Sequence, residues 1–403
     1  MYIPAYIEKV LDILYKNGYE GYLVGGCVRD ALMGKVPHDY DLTTNALPHE
    51  IIACFNGFRV IETGIKHGTV TVVSDGENVE ITTYRIDGAY KDNRHPEEVS
   101  FTKNIHEDLS RRDFTVNAIA YSPRDGYVDV FGGIEDIKNK LIRCVGCADT
   151  RFNEDGLRIM RAIRFSSVLD FAIESDTADA VHRKASLLQN ISAERKFTEF
   201  KKLICGKNAQ YVLADYYDVM CVVFPELIKY REFYNKNIRS IANESFDEIC
   251  ACTLLFYGAD ISDIKKMIKS LKTDNDFYSN VVVLSEYLKE EILCDEISVR
   301  YIMNRLSGDN IHRLARVKKS LFSDFRYSEF ISEYNKQLEM GACVRIKDLS
   351  VNGADLINLG IPKGPSVGDT LEKLLCAVIE NRCENNKGAL VCELKKIISG
   401  GKL

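Results

Sequence analysis

Hydrophobic periodicity changes character once along the chain, near residue 150, and that change narrows the folds open to it. Before it, short β-branched runs at 21–24, 40–43, 68–73 and 79–85 alternate with brief helical patterns and turns marked by Gly or Pro. From about Asn153 onward, apolar residues recur at helical spacing almost throughout, interrupted by loops at Gly206, Pro225, Gly258 and Gly308. The pattern predicts an α+β chain: a head over 1–150 with a small mixed β-sheet, then an elongated all-helical remainder. At 403 residues the chain is too long for one ordinary core, so several packed units are expected. No fixed-period repeat appears, which leaves a regular solenoid without support.

Composition excludes several classes. Hydrophobic residues make up 46% and charged residues 28%, and no run reaches the roughly 18 apolar residues of a membrane span. The N-terminal stretch MYIPAYIEKV lacks a signal-peptide pattern, so no membrane association and a cytoplasmic location are expected. The 13 cysteines are odd in number and scattered without framework spacing, as suits reduced thiols. Cys144 and Cys147 form the only CxxC; without a second pair they read as ordinary thiols and not a zinc site. A net charge of −6 argues against a nucleic-acid binder that uses its whole surface, while leaving room for a local basic groove.

The chemistry begins at Gly25-Gly26-Cys27-Val28-Arg29-Asp30, a turn between a short strand and a helical pattern. Glycines there let backbone N–H groups approach a phosphate closely, and a helix start favours negative charge. Ten residues on stands Asp39-Tyr40-Asp41, whose spacing puts two carboxylates on one side of an extended strand. Such a pair can hold two Mg2+ ions about 4 Å apart. Taken singly, a glycine pair at a turn and two surface acids also have plain structural readings.

Three further segments follow in order: Arg111-Arg112-Asp113-Phe114-Thr115-Val116-Asn117-Ala118, then the stretch 153–165 carrying Asp155, Arg158, Arg161 and Arg164, then Ile191-Ser192-Ala193-Glu194-Arg195. Together the five motifs resemble the class II tRNA nucleotidyltransferases, the bacterial CCA-adding and poly(A) polymerase group, over residues 21 to about 205. The resemblance implies a nucleotidyltransferase head (1–150), a helical neck that recognises the nucleotide (151–210), a body (211–340) and a tRNA-binding tail (341–403). It implies template-independent addition of C, C and A to the 3′ end of tRNA from CTP and ATP. By the same resemblance Gly25, Gly26, Arg29 and Arg112 contact the nucleotide, and Asp39 and Asp41 are catalytic and bind two Mg2+ ions. A third acid on a neighbouring strand is a feature of such enzymes, and Glu80 is the candidate. Partners implied are tRNA, from acceptor end to elbow, with ATP and CTP as substrates; no protein partner is inferred.

Base choice follows from hydrogen-bond chemistry. Ionised Asp155 only accepts and Arg158 only donates, while cytosine and adenine both offer an exocyclic amino group beside an unprotonated ring nitrogen. Uracil and guanine reverse both positions, and each buried mismatch costs about 1–3 kcal/mol. Arg158, Arg161 and Arg164 lie at i+3 steps on one helical ridge, with Asn153 expected to cap that helix and Glu154 and Asp155 in its first turn. Arg161 and Arg164 would complete the charge around base and triphosphate.

Within the family, 62–70 resembles the CCA-adding form, and 85–96 looks like the flexible loop that CC-adding enzymes lack, read here as a lever for the change from C to A. The rivals are A-adding, CC-adding and poly(A) polymerase activities, or an inactive RNA-binding paralogue. For RNA phosphates the sequence offers the basic run Arg195, Lys196, Lys201, Lys202 and Lys207, and the turn 360–368 before a helix, each of which also reads as ordinary surface. His182 and His312 lack the companion Asp spacing of an HD phosphohydrolase and read as surface or packing residues.

Overall fold

The computed structural model describes residues 1–88, 99–242 and 246–400, so most of the expected lever at 87–96 lies outside the described residues. The chain divides into two compact units: Met1–Glu244 with Lys266–Thr273, and Ser245–Lys265 with Asp274–Leu403.

In the first unit, helix α1 (Ala5–Lys16) buries Ile7, Val10, Leu11 and Leu14 along one face, the i, i+3, i+4, i+7 pattern of an amphipathic helix. Strands β1 (Tyr22–Val24), β2 (Asp41–Thr44), β3 (Arg59–Ile61), β4 (Thr69–Ser74) and β5 (Glu77–Thr83) follow. With β8 (Ala120–Ser122) and β9 (Gly126–Val128) they make a seven-stranded sheet in the order β3-β4-β5-β2-β1-β8-β9. The sheet is mixed: β2 runs parallel to β5, and every other pairing is antiparallel. Val70 and Val72 of β4 and Val79 and Ile81 of β5 are fully buried and alternate with more exposed neighbours, as a sheet packed on one face requires. Between β5 and β8, β6 (Arg85–Asp87) pairs antiparallel with β7 (Val99–Phe101) as a separate ribbon. The run read as one strand over 79–85 is thus divided at Tyr84.

Helices α2 (Gly26–Leu32), α3 (Pro48–Cys54), α4 (Ile105–Ser110) and α5 (Gly133–Lys138) complete the head. A short parallel pair, β10 (Leu141–Ile142) with β11 (Ala172–Ile173), brackets α6 (Ala148–Glu154) and α7 (Leu157–Leu169), and α8 (Ser175–Lys184) and α9 (Ala193–Ile204) follow. One local expectation is corrected here. Asn153 does not hold the N-cap position of that helix, because it lies inside α6; the chain breaks at Asp155, which has extended backbone (φ −139°, ψ 103°), and α7 starts only after Gly156. The Asp155 carboxylate accepts from the Leu157 amide (3.1 Å), which satisfies one of the N–H groups that the new helix start leaves open. The physical reason is steric: a Cβ on Gly156 would stand 3.1 Å from Leu187 Cβ, so the turn seats the backbone against the 3-10 stretch Ala185–Asn190.

The second unit is helical, with Glu248–Leu255, Asn275–Leu288, Glu296–Arg305, Gly308–Leu321 and Tyr327–Glu339 followed by Gly353–Asn358, Pro365–Ile379 and Lys387–Gly400. The last three share a core of Leu356, Leu371, Leu374, Leu375, Leu390 and Leu394. The turn read at 360–368 does lead into a helix: Gly364, at φ 134°, precedes Pro365 at the first helical position.

Two contacts fix α7, the helix that carries the arginine ridge. Behind it, Ser167 Oγ donates to the Leu203 carbonyl of α9 (2.7 Å), and a Cβ on Gly206 would fall 2.1 Å from that hydroxyl and 2.6 Å from the Ser167 carbonyl carbon. Gly206→Ala is therefore expected to cost about 1–3 kcal/mol through forced backbone separation, read as a fall in Tm without loss of helical circular dichroism. In front, Arg161 of α7 donates Nε and Nη2 to Asp113 Oδ2 (2.8 and 2.6 Å), while the Phe114 amide and Asn117 Nδ2 donate to Oδ1 (2.8 and 3.2 Å). Burial alone would raise the Asp113 pKa; Arg161, Arg158 and the Phe114 amide overcome it and hold the carboxyl down at about 2. Because the folded pKa lies below the unfolded value near 3.9, this stabilisation is full above pH 4 and is lost as pH falls through 2. Asp113→Asn should abolish it, so acid titration of the wild type relative to this variant should show a loss of about 2 kcal/mol between pH 4 and 2.

Candidate active site

Strand pairing sets the centre of the site. In the parallel β2–β5 pair Asp41 stands opposite Glu80, so the two side chains share one face at neighbouring positions. Asp39 lies just before β2; with buried Tyr40 between them, Asp39 and Asp41 are both exposed, as the alternating pattern requires. Asp41 keeps an open flank, yet the packed protein around it raises its pKa, as do the charges of Glu80 and Asp39, with Arg112 opposing. Glu80 and Asp39 are thus both close enough to Asp41 to act on its charge. Among the described residues no three such groups close into a metal cage. An arrangement of that kind suits Mg2+, a hard cation that commonly takes one or two carboxylates and completes its octahedron with water and substrate phosphates. Asp39 and Asp41, with Glu80 beside them, fit the ion expected from sequence.

A cleft of about 240 Å³ opens over these acids, lined among others by Asp41, Glu80, Thr82, Arg85, Arg111 and Arg112. The Arg112 wall of this cleft abuts the glycine turn. Gly25 has φ 75°, ψ −132°, a conformation open to glycine, and a Cβ there would stand 3.3 Å from Arg112 Nη1. A Cβ on Gly26 would lie 3.6 Å from Arg29 Nη2. Gly25 thus stands beside Arg112, and Gly26 beside Arg29. Arg29 is buried, with Nη1 donating to Asn117 Oδ1 (2.8 Å), Nε to Asp30 Oδ1 (2.9 Å), and its guanidinium 5.3 Å from the Phe165 ring centre. Arg112 Nε is buried without a hydrogen-bond partner, a donor awaiting an acceptor.

The ridge on α7 lies beside this wall. Arg161, Arg164 and Arg29 all stand near Phe165, with Arg164 only 3.5 Å from the ring centre. Arg164 Nε donates to Glu199 Oε2 (2.7 Å), and Arg161 is committed to Asp113. Asp155 and Arg158 each have other partners. Asp155 accepts from Arg195 Nη1 and Nη2 (3.2 and 2.7 Å), whereas Arg158 Nη1 bonds Glu154 Oε2 (2.6 Å) and Nη2 bonds the Arg111 carbonyl (2.9 Å). The basic run is likewise partly engaged inside the protein: besides Arg195, Lys196 Nζ donates to the Leu188 carbonyl (3.2 Å) and Lys201 lies 4.8 Å from the Phe197 ring centre.

Sequence reasoning passed over several residues that hold the others: Asp108, Asp113, Asn117 and Glu199. Two of these, Asp113 and Asn117, sit inside a quoted motif, and a polar residue kept among apolar ones there is the signal that was available. Asp108 is fully buried, and although burial would raise its pKa, Arg111 and Arg112 lower it, so it is a carboxylate at neutral pH. Cys144 is buried, its thiol pushed up to about 12, and Cys147 is exposed; both are free thiols, as expected. His182 and His312 belong to ordinary packing, the first stacked on Tyr216 with Asp218 at 2.8 Å, the second edge-on to Tyr334.

Comparison with known proteins bears on this geometry. Residues 21–143 match the Poly A polymerase head domain, 170–230 the probable RNA and SrmB-binding site of polymerase A, and 243–394 a putative tRNA nucleotidyltransferase domain 2. The CCA-adding enzyme of Streptococcus pyogenes serotype M2 is 37% identical over 401 residues, 96% of each chain. A solved structure of the Bacillus stearothermophilus CCA-adding enzyme in complex with CTP superposes with a TM-score of 0.83 at 29% identity, covering 99% of both chains. The Thermotoga maritima CCA-adding enzyme complexed with tRNA shares the fold at 21% identity and a TM-score of 0.65. By this likeness along nearly its whole length, the chain belongs to the CCA-adding enzyme family of tRNA nucleotidyltransferases.

Proposed function

We propose that this chain adds C, C and A to the 3′ end of tRNA from CTP and ATP, by attack of the RNA 3′-hydroxyl on the nucleotide α-phosphate with release of pyrophosphate. The observation that carries the reading is the cleft that Asp41 and Glu80, aligned by strand register, share with Arg111 and with Arg112, whose guanidinium borders the Gly25–Gly26 turn. Acids on one side and phosphate-binding groups on the other are what a phosphoryl-transfer site requires. The relatives named CCA-adding enzymes, one of them solved with CTP, support the choice of reaction.

In this reading the backbone at Gly25 and Gly26, with Arg29 and Arg112, holds the triphosphate. Asp39 and Asp41 hold two Mg2+ ions, which when bound lower the pKa of the attacking hydroxyl and stabilise the leaving pyrophosphate. Glu80 is the third acid beside them. Asp155 and Arg158 read the base edge, and Arg161 and Arg164 complete the positive charge around base and triphosphate. The head (1–150) performs chemistry and the neck (151–210) selects the nucleotide; the body (211–340) and tail (341–403) grip tRNA by shape and phosphates from acceptor end to elbow. Among the described residues no helix is long and apolar enough to cross a membrane, and the substrates of this reaction belong to the cytoplasm.

Asp39→Ala and Asp41→Ala should each abolish incorporation of both C and A while leaving tRNA affinity within about twofold. Labelled CTP and ATP with tRNA lacking its 3′ end, and a filter-binding measurement beside it, check this; turnover near that of the wild type in either variant refutes the metal assignment. Asp155→Ala and Arg158→Ala should slow C and A addition and narrow the preference over UTP and GTP by about tenfold or more. Competition among all four triphosphates, with the 3′ ends sequenced, reads the outcome.

A further inference from the structure

We propose that Asp108 is a positioning residue that sets Arg111 and Arg112 as a fixed pair for the triphosphate of the incoming nucleotide. The inference rests on the nucleotidyltransferase reading given above. Asp108 lies in α4 with no exposed surface. A carboxylate buried in this way is costly unless both oxygens are paired. Oδ1 accepts Nε and Nη2 of Arg111 (2.9 and 2.8 Å) and the Arg85 amide (3.3 Å); Oδ2 accepts Nη2 of Arg112 (3.3 Å), with Thr43 Oγ1 at 3.5 Å.

Consecutive residues at the end of a helix point about 100° apart. Arg111 and Arg112 would therefore diverge, one to each side of α4. Asp108 stands at i−3 from the first and i−4 from the second, so a single carboxylate draws both guanidinium groups round to the same cleft. One buried negative charge against two positive ones leaves a net positive charge facing outward. On its other side the Arg112 guanidinium borders the glycine turn, where a Cβ on Gly25 would stand 3.3 Å from Nη1, and its Nε has no hydrogen-bond partner. Arginine forks match phosphate oxygens in pairs, and their value depends on fixed orientation. Asp41 and Glu80 line the same cleft as these arginines. The buried carboxylate thus also keeps the arginines off the acids that the reaction needs.

Asp108→Asn preserves shape and removes the charge. The triphosphate is common to both substrates, so KM for CTP and for ATP should rise together by about tenfold or more, with kcat changing less. Inhibition by pyrophosphate should weaken by a similar factor, while tRNA affinity and the preference for C and A over U and G stay as in the wild type. A merely structural role would lower the folded fraction and the apparent kcat and leave KM and pyrophosphate inhibition unmoved; that result in folded protein overturns the proposal. If Asp108→Asn does not accumulate as folded protein, Arg111→Lys decides. It keeps the positive charge but loses the two-nitrogen contact with Asp108, so the same joint rise in KM is expected, and unchanged KM values overturn the proposal. Wild-type protein assayed alongside separates the two levels of the argument: if it incorporates neither nucleotide, the family reading of the activity fails; if it incorporates both and the variants show no rise, only the role of Asp108 fails.

Discussion

The parallel pairing of β2 with β5 is the constraint on which the site depends. It is the one parallel contact in an otherwise antiparallel sheet, and it alone puts Asp41 opposite Glu80. A slip of one residue would turn Asp41 toward the core and bring Leu42 out, with Val79 and Ile81 displaced in the same way if β5 slipped. The register is therefore held by burial of Leu42, Val79 and Ile81, each at most 1% exposed. The acids are thus carried by apolar residues that never touch substrate. Repulsion between the acids opposes this arrangement only weakly, since both keep contact with solvent.

Around that pair the protein handles positive charge in a consistent way. Five arginines near the cleft have an acid or amide behind them: Arg29 has Asn117, Arg111 and Arg112 share Asp108, Arg161 has Asp113, and Arg164 has Glu199. Solvated arginines would lose side-chain entropy on meeting a ligand; arginines already held lose little. Asn117 also links two of these supports, because its Oδ1 accepts from Arg29 while its Nδ2 donates to Asp113. The triphosphate side and the α7 ridge are consequently joined through one buried amide within the first unit.

How much of this was legible in sequence depends on the range of the interaction concerned. The glycine turn, the Asp39–Asp41 pair and the change to helical periodicity are local patterns, and the structure places them where the sequence puts them. Glu80 was reachable because its strand was recognisable and a third acid was sought. The partners of Asp155 and Arg158 were not legible: Arg195 is 40 residues from Asp155, and Arg111 is 47 from Arg158. Nothing in local spacing tells which of several nearby charges an arginine will take. The break at Asp155–Gly156 was missed for a similar reason, since the contact of Gly156 with Leu187 depends on tertiary packing and an unbroken helix is the natural reading of the stretch from Asn153.

The resting partners of Asp155 and Arg158 bear on selectivity within the proposed reading. To read a base, Asp155 must give up at least part of a two-nitrogen contact with Arg195, and Arg158 must release Glu154 or the Arg111 carbonyl. Such exchanges are close to neutral only when the new partner matches the old in kind: an amino group for Asp155, an acceptor for Arg158. Cytosine and adenine supply both. Uracil and guanine place a carbonyl and a ring N–H at those two positions, so for them the exchange loses charge-assisted bonds without a matching replacement, and the resting pairs remain the lower state. Because the resting pairs belong to the free enzyme, they compete with every nucleotide alike and weaken binding in general; the gap between right and wrong bases is set by the edge contacts that replace them.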